Sequence, residues 1–162
     1  MLAIKDNKRM TAFGYACKYG HIETIKVFLE FKHQKVLEAK KPDGTNKVEV
    51  IAIKKNAGVG NDRLTPLMWA ASRGNLELVN LLLENKARIQ ATDKFKRSAL
   101  TLAVRNGHTK VATVLLQNGA DWDHKDSSDN TPLHYAAAYG WLDCIEMLIA
   151  AKEQTEMAKK SL

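Results

Sequence analysis

The stretch TPLMWAASRGNLELVNLLLENKA, residues 65–87, decides the fold of this 162-residue chain, because the chain repeats its pattern. SALTLAVRNGHTKVATVLLQNGA begins at Ser98 and TPLHYAAAYGWLDCIEMLIAAKE begins at Thr131, so the three starts are 33 residues apart. TAFGYACKYGHIETIKVFLE, which begins at Thr11, fits the same template one period plus 21 residues earlier. A repeat of this length predicts a solenoid of stacked units.

Each unit is predicted to be a pair of short helices joined at a glycine. The threonine or serine at the start can cap the first helix, and Pro66 and Pro132 follow it at a position where a missing N–H costs nothing. A glycine nine residues after the start can adopt a positive φ, end the first helix and reverse the chain into the second. Such a pair cannot bury its apolar surface alone, so the units are expected to stack around one core. The glycines are Gly20, Gly74, Gly107 and Gly140.

The 21 additional residues form an insertion within 31–64. FKHQKVLEAKK has no helix breaker before Pro42, which predicts that the second helix of the first unit extends to about residue 40. KVEVIAIKK, residues 47–55, fits either a short β segment or a degenerate second helix, and its periodicity does not decide between them. The structure of 41–60 is therefore left open. At the other end, AAKEQTEMAKKSL predicts a helix that runs on and covers the last unit with polar residues.

Composition places the chain among ordinary globular proteins, with 45% hydrophobic and 27% charged residues. No secretory signal or membrane span can be drawn, which predicts an intracellular protein, cytoplasmic with a nuclear location also open. Cys17 and Cys144 occupy apolar helical positions and are interpreted as buried thiols in a reducing compartment.

Positive charge is concentrated in residues 1–64, which hold 13 Lys and Arg against 7 Asp and Glu, whereas the net charge of the whole chain is +7. A cationic surface can attract an acidic protein segment, nucleic acid or an anionic membrane. The residues of this basic patch are Lys32, Lys35, Lys40, Lys41, Lys47, Lys54 and Lys55.

The units resemble the ankyrin repeat, whose pattern of threonine, proline, leucine, histidine, two alanines, glycine and a leucine run is matched by TPLHYAAAYG and LLLENKA. The resemblance covers about 11–30 and 65–152. The family's histidine is present only as His134, and repeat 1 lacks the proline. The resemblance implies an all-α solenoid of helix–turn–helix units with finger loops. The fingers would be DNKRMT, GNDRLT, DKFKRS and DSSDNT.

This resemblance also implies a domain organisation. The chain is expected to be a single domain, 1–162. Because it starts inside a finger, it is expected to be part of a longer protein, with a genuine N-terminus left open as the alternative. Its four units, called repeats 1 to 4 below, lie near 6–40, 60–92, 93–125 and 126–160.

Ankyrin arrays present a concave face made of finger tips and the exposed sides of the first helices, so the resemblance implies a binding module. The repeat register also places five further residues on this face: Ser72, Ala138, Lys8, Asp62 and Asn130. Trp122 and Trp141 are instead expected to pack between units. Tyrosine and arginine are common at energetically important interface positions. The predicted binding face consists of Lys18, Tyr19, Arg73, Lys94, Phe95, Arg97, Arg105, Asn106, Ser128 and Tyr139.

Three functional hypotheses follow, and none of them is enzymatic. No metal-ligand spacing, nucleophile elbow or phosphate loop is present, so we expect no catalysis, cofactor or metal. The first hypothesis is a monomeric protein-interaction module that binds an acidic or extended segment of a partner protein. The second is binding of nucleic acid or an anionic surface by the basic patch, but the lysines are not interleaved with aromatic residues, which disfavours nucleic acid. The third is an intramolecular regulatory role within a larger enzyme or channel.

Overall fold

The structure, a computed structural model, describes residues 5–35, 58 and 60–160. These described residues form eight α-helices and no strand, and an isolated antiparallel bridge joins Thr92 to Ser98. The eight helices make four pairs that match the four repeats, so the predicted all-α solenoid is confirmed. The helices are α1 Ala12–Tyr19, α2 Ile22–Lys35, α3 Pro66–Ser72, α4 Leu76–Glu84, α5 Ala99–Arg105, α6 Thr109–Gln117, α7 Pro132–Tyr139 and α8 Leu142–Lys160.

The first helix of each repeat begins directly after its predicted cap. The hydroxyls of Thr11, Thr65 and Ser98 accept a hydrogen bond from the backbone N–H three residues later, at 3.0, 3.3 and 3.2 Å. In repeat 4 the Thr131 N–H donates to Nδ1 of His134 at 3.2 Å, and the Thr131 hydroxyl lies 2.8 Å from the same nitrogen. These bonds satisfy N–H groups that a helix start would otherwise leave unpaired.

Two repeats replace the family's histidine with another side chain that contacts the cap. In repeat 2 the sulfur of Met68 lies 3.4 Å from the Thr65 nitrogen. In repeat 3 the hydroxyls of Thr101 and Ser98 are 3.0 Å apart. The helix start is therefore stabilised locally in each case, although only repeat 4 keeps the histidine.

The first helices end at or just before the predicted glycines: α1 and α7 end directly before Gly20 and Gly140, whereas α3 and α5 end two residues before Gly74 and Gly107. At Gly107, whose φ is 73°, an added Cβ would lie 2.8 Å from Cδ2 of Trp141, so a side chain at this position would collide with the next repeat. Nε1 of Trp141 donates to the Arg105 carbonyl at 3.2 Å, which confirms that this tryptophan packs between units. Trp122 is half-buried against the core. The other glycines have φ of 74° at Gly20, 69° at Gly74 and 73° at Gly140.

One continuous core runs through the stacked helices. Helix α3 contacts both α1 and α5, and α5 contacts α7, while α6 contacts both α4 and α8. Leu67 and Leu100, at the same position of consecutive repeats, are each 1% exposed. Cys17 and Cys144 are free and fully buried, as predicted, and burial raises the pKa of the Cys17 thiol to about 12.

Helix α8 continues through the C-terminal segment to Lys160, as predicted, but it does not cover the last repeat. Leu133 is 39% exposed, whereas its equivalents in repeats 2 and 3 are buried. The prediction of a covering helix is wrong because no glycine interrupts this segment, so the helix continues without reversing across the repeat.

The insertion is described only in part. The predicted extension of the first unit's second helix is followed as far as Lys35, the last residue of α2. The rest of that extension, and both interpretations of residues 47–55, lie outside the described residues.

Candidate protein-binding face

Four finger loops precede the first helices, and we define them as residues 6–10, 60–64, 93–97 and 126–130. In finger 4, Oδ1 of Asp126 accepts hydrogen bonds from the backbone N–H groups of Ser128 at 2.8 Å and Asn130 at 3.0 Å. Asp6 and Asp93 make the same two bonds in fingers 1 and 3. A short carboxylate that bonds to nearby backbone N–H groups fixes a tight turn.

The tip of every finger adopts a left-handed backbone conformation at a residue other than glycine. These tip residues, two positions before the helix cap, are Arg9, Arg63, Lys96 and Asp129, with φ of 60°, 58°, 59° and 60°. This conformation is strained for most side chains, and in fingers 1, 3 and 4 the aspartate bonds to the finger backbone stabilise it.

In fingers 1 and 4, the second carboxylate oxygen ties the finger to its own helix. Tyr15 donates its hydroxyl to Oδ2 of Asp6 and Tyr135 donates to Oδ2 of Asp126, both at 2.6 Å. Burial alone would raise the pKa of Asp126, but the hydrogen bonds from Tyr135 and the finger backbone outweigh it and lower that pKa. Burial and the same bond raise the pKa of Tyr135. This link was not predicted from the sequence, although both tyrosines stand nine residues after the aspartate.

Finger 3 replaces the tyrosine with an arginine of its own. Arg97 donates from Nε to Oδ2 of Asp93 at 2.8 Å, and its Nη2 lies 2.7 Å from the same oxygen. The tyrosine position is occupied here by Leu102, which has no hydroxyl. Only 14% of the Arg97 side chain is exposed, so the contacts of this predicted binding residue lie mainly within its own finger.

Phe95 protrudes from finger 3 between two cations. Its ring is 4.8 Å from Nζ of Lys94 and 4.7 Å from Cζ of Arg97, and the residue remains 44% exposed. Lys94 also forms a salt bridge with Asp62 of finger 2. The two cation–π contacts favour one orientation of this ring, which stays partly exposed.

Backbone hydrogen bonds connect neighbouring fingers. The Lys94 N–H donates to the Asp62 carbonyl at 3.0 Å, and 33 residues later the Ser127 N–H donates to the Phe95 carbonyl at 2.9 Å. Between fingers 1 and 2 the register differs, because the Gly60 N–H donates to the carbonyl of the finger 1 tip at 3.2 Å. The fingers therefore form one connected row.

The C-terminal ends of the first helices supply the rest of the predicted binding face. Tyr19 and Tyr139 are 54% and 52% exposed, and Arg73 is exposed between them in the chain order. The Lys18 ammonium lies 5.5 Å from the ring centroids of both Tyr19 and Trp69. Exposed tyrosine and arginine side chains of this kind are enriched at interfaces.

In repeat 3, two residues of the predicted binding face contact neighbouring repeats. Nδ2 of Asn106 donates to the Ser72 carbonyl at 2.9 Å and approaches its hydroxyl at 3.1 Å. The guanidinium of Arg105 lies 5.9 Å from the Tyr135 ring of repeat 4. The binding role of the ten predicted residues remains a prediction.

Finger 2 differs from the others because Gly60 stands where they have aspartate, and Trp69 stands at the tyrosine position. Nε1 of Trp69 is buried and has no hydrogen-bond partner among the described residues. A buried donor without a partner costs roughly 1–3 kcal/mol. A groove of about 280 Å³ adjoins this ring, and its lining includes Lys8, Tyr15 and Lys18.

Other predicted features are only partly described. Lys32 and Lys35 lie in the last turn of α2, where the structure describes the backbone alone, and Lys40, Lys41, Lys47, Lys54 and Lys55 lie outside the described residues. Within 5–35 and 60–160, no three His, Cys, Asp or Glu side chains are grouped so that they could hold a metal ion. None of the described helices is both long and apolar enough to span a membrane.

Comparison with known proteins gives matches along the whole chain. A family model described as ankyrin repeats (3 copies) matches residues 2–93, 36–126 and 67–160. The chain is 45% identical over 98 residues to a protein named poly [ADP-ribose] polymerase tankyrase from Caenorhabditis elegans, a match that covers 60% of this chain and 4% of that protein.

The chain is also similar to parts of two other proteins. One, named transient receptor potential cation channel subfamily A member 1 homolog, also from Caenorhabditis elegans, is 40% identical over 99 residues, which is 60% of this chain and 8% of that protein. The other, inversin from Canis lupus familiaris, is 34% identical over 85 residues, which is 52% of this chain and 8% of that protein. The chain therefore spans less than a tenth of the length of these relatives.

Proposed function

Because the chain belongs to the ankyrin-repeat family, whose repeats are generally protein-interaction modules, we propose that it binds a segment of a partner protein across the predicted binding face. The observation that carries this proposal is the exposure of large aromatic side chains on fixed elements. Phe95 is 44% exposed on finger 3, and Tyr139 is 52% exposed at the end of α7. Buried aromatic anchors dominate the energetics of many interfaces.

The fingers support this proposal because their conformation is set before a partner arrives. The carboxylates of Asp6, Asp93 and Asp126 bond to the finger backbone, and further backbone bonds join neighbouring fingers. A surface that is already ordered loses little conformational entropy when it binds.

Charge supports an acidic partner segment. Lys18, Arg73 and Arg105 line the ends of three consecutive first helices, and Lys94 lies on the finger between them in chain order. Opposite charges at an interface raise the association rate and select the partner. The proposal includes an intracellular, monomeric and non-catalytic domain.

The test compares the protein captured from a cell lysate by the wild-type chain with that captured by a variant carrying Phe95→Glu and Arg105→Glu. A control variant, Val27→Glu with Lys110→Glu, makes the same charge change on the second helices, where Val27 is 63% exposed and Lys110 is exposed. We expect a specific protein that is retained by the control and lost from the face variant.

The same capture at low and high salt, with and without nuclease, tests the alternative that the basic patch binds nucleic acid. Nucleic acid that is recovered equally by all three proteins and released by salt would assign binding to the basic patch instead. A partner protein retained equally by the face variant and the control would refute the proposed face.

A second candidate function is docking of this array within a larger protein. It is favoured by the length of the relatives, of which the chain spans 4–8%, and by the exposed apolar side chains of repeat 4, including Leu133 at 39% and Leu142 at 71%. Hydrogen exchange of residues 130–145 would test it, measured in this chain and in the complete product of its gene. Slower exchange in the complete product is expected if another segment packs there, and equal rates would exclude this docking site.

A further inference from the structure

Finger 2 lacks a carboxylate that the other three fingers have. Asp6 and Asp126 each accept a hydrogen bond from a tyrosine hydroxyl at 2.6 Å. In repeat 2 the equivalent positions are Gly60 and Trp69, so the donor is an indole N–H and the acceptor is missing. Within the described part of the chain, Nε1 of Trp69 is buried without a hydrogen-bond partner.

The charge around this donor is positive. The Lys18 ammonium lies 5.5 Å from the centre of the Trp69 ring, and Lys8 lines the same groove. Neither lysine forms a salt bridge with another described residue. The groove also contains Asp62, but this carboxylate is paired with Lys94 of finger 3. Trp69, whose indole N–H has no described partner, therefore lines a groove with two lysines that form no salt bridge with a described residue. The nearby carboxylates are already engaged, since Asp62 pairs with Lys94, and Asp6, which attracts Lys8, accepts hydrogen bonds from Tyr15 and the finger backbone.

The groove is large enough to admit a side chain of a partner. The groove has a volume of about 280 Å³ and lies between fingers 1 and 2 and the helices that follow them. The rings of Tyr15 and Tyr19, which stack with 6.2 Å between centroids, form its aromatic side. An extended segment that crosses the binding face can place a single residue there.

We infer that the groove between fingers 1 and 2 binds an aspartate or glutamate side chain of the partner segment, with its carboxylate accepting the Trp69 indole N–H and pairing with Lys18. The bound carboxylate takes the role that the finger's own aspartate has in repeats 1 and 4. The Lys18 side chain, which lies against the Trp69 ring in the free protein, turns toward the ligand. This inference rests on the proposed function and specifies the chemistry of one partner residue.

The experiment begins with selection of random dodecapeptides displayed on phage against the complete 162-residue chain. A selected peptide is then synthesised with an acetylated N-terminus and an amidated C-terminus, so that any carboxylate belongs to a side chain. Its affinity is measured by titration calorimetry, together with that of a copy in which the common acidic residue is changed to the matching amide.

Both peptides are also measured with Trp69→Phe, which keeps an aromatic ring and removes the N–H, and with Lys18→Met. Trp122→Phe, in a half-buried tryptophan of repeat 3, is the matched control. We expect the acid-to-amide change to weaken binding about tenfold or more in the wild type and in Trp122→Phe, since hydrogen bonds to a charged group are the stronger class. In Trp69→Phe and Lys18→Met, the acid-to-amide change in the peptide should weaken binding less than about threefold. The reason is that these variants have already lost part of the interaction that the carboxylate makes, so the two losses are not additive.

The NMR chemical shifts of the tryptophan indole N–H groups provide a second measurement. In the ¹⁵N-labelled chain, the Trp69 N–H resonance, assigned from Trp69→Phe, should move downfield with the acidic peptide and stay in place with the amide peptide. Equal affinities for the two peptides, or an equal loss in Trp69→Phe and the wild type, would overturn the inference. A selection that yields peptides with no acidic residue at a common position would overturn it as well.

Failure of the inference is distinguishable from failure of the proposed function. Peptides that lose affinity for the Phe95→Glu, Arg105→Glu variant, but show no preference for a carboxylate, would refute the inference and leave the proposed function intact. Peptides that bind that variant as tightly as the wild type would refute the proposed face itself.

Discussion

Repeats 3 and 4 have the same helix pair but bury it to very different extents. Leu100 of repeat 3 is 1% exposed, whereas Leu133 at the same position of repeat 4 is 39% exposed. The same contrast holds on the second helices, where Ala112 is fully buried and Ile145 is half-buried. The difference shows that the next repeat, rather than the repeat's own sequence, completes the core around each pair.

The largest expected effect is the loss of a leucine from the covered repeat. Leu100→Ala should lower the free energy of unfolding by about 2–5 kcal/mol, because it leaves a cavity between repeats, whereas Leu133→Ala should cost less than about 1 kcal/mol. Urea denaturation followed by circular dichroism measures both. Equal losses would mean that repeat 4 is as tightly packed as repeat 3.

A smaller effect is expected at the glycines that end the first helices. Gly107 and Gly140 share a φ of 73°, but an added Cβ would lie 2.8 Å from the Trp141 ring at Gly107 and has no described atom within 4 Å at Gly140. Gly140→Ala should therefore cost only the backbone strain, about 1 kcal/mol, and Gly107→Ala should cost at least about 1 kcal/mol more. Thermal unfolding of the pair would show the difference. If both variants melted together, the contact between repeats would contribute nothing.

The finger link of repeat 4 predicts a dependence on pH. Tyr135→Phe removes the hydroxyl that donates to Asp126 at 2.6 Å and should cost about 1 kcal/mol near pH 6. The folded-state pKa of Asp126 is lowered, so its stabilising contribution is present above the unfolded value of about 3.9 and is lost as pH falls through the folded value. The gap between Tyr135→Phe and the wild type should therefore shrink toward pH 2.

Denaturation at several pH values measures this gap, and Tyr139→Phe, at an exposed tyrosine of the same helix, is the control. Repeat 3 has no tyrosine at this position, so no equivalent pH-dependent link is expected there. A gap that stayed constant from pH 6 to pH 2 would show that the carboxylate charge plays no part in the link.

The smallest effect on stability is expected on the predicted binding face. Phe95→Ala in repeat 3 and Tyr139→Ala in repeat 4 should change the free energy of unfolding by less than about 1 kcal/mol, because each residue is about half exposed. Each should nevertheless weaken partner binding measurably. A drop in melting temperature of several degrees for either variant would reassign that ring to packing.

Much of the fold could be predicted because its determinants are local. A hydroxyl at Ser98 and a glycine at Gly107 delimit a helix from within the segment, and the 33-residue period places the next unit. The covering role assigned to the C-terminal segment was wrong because coverage depends on the direction of a long helix, which its composition does not determine.

The site was less predictable than the fold. The pairs Asp6–Tyr15 and Asp126–Tyr135 are visible in the sequence, but their significance requires the finger to lie against its own helix. An alignment of the four fingers would also have shown that Gly60 replaces the aspartate that the other three fingers have. Whether the Trp69 N–H then finds another partner depends on packing between repeats, which periodicity does not contain.

The left-handed tips of the fingers have one further consequence, for the polarity of binding. Since these positions tolerate residues other than glycine, each finger displays a side chain at its tip. The charges along the array are positive at Arg9, Arg63 and Lys96 and negative at Asp129. For the proposed partner segment, the two directions along the tips present different orders of charge, which favours one orientation of binding over the other.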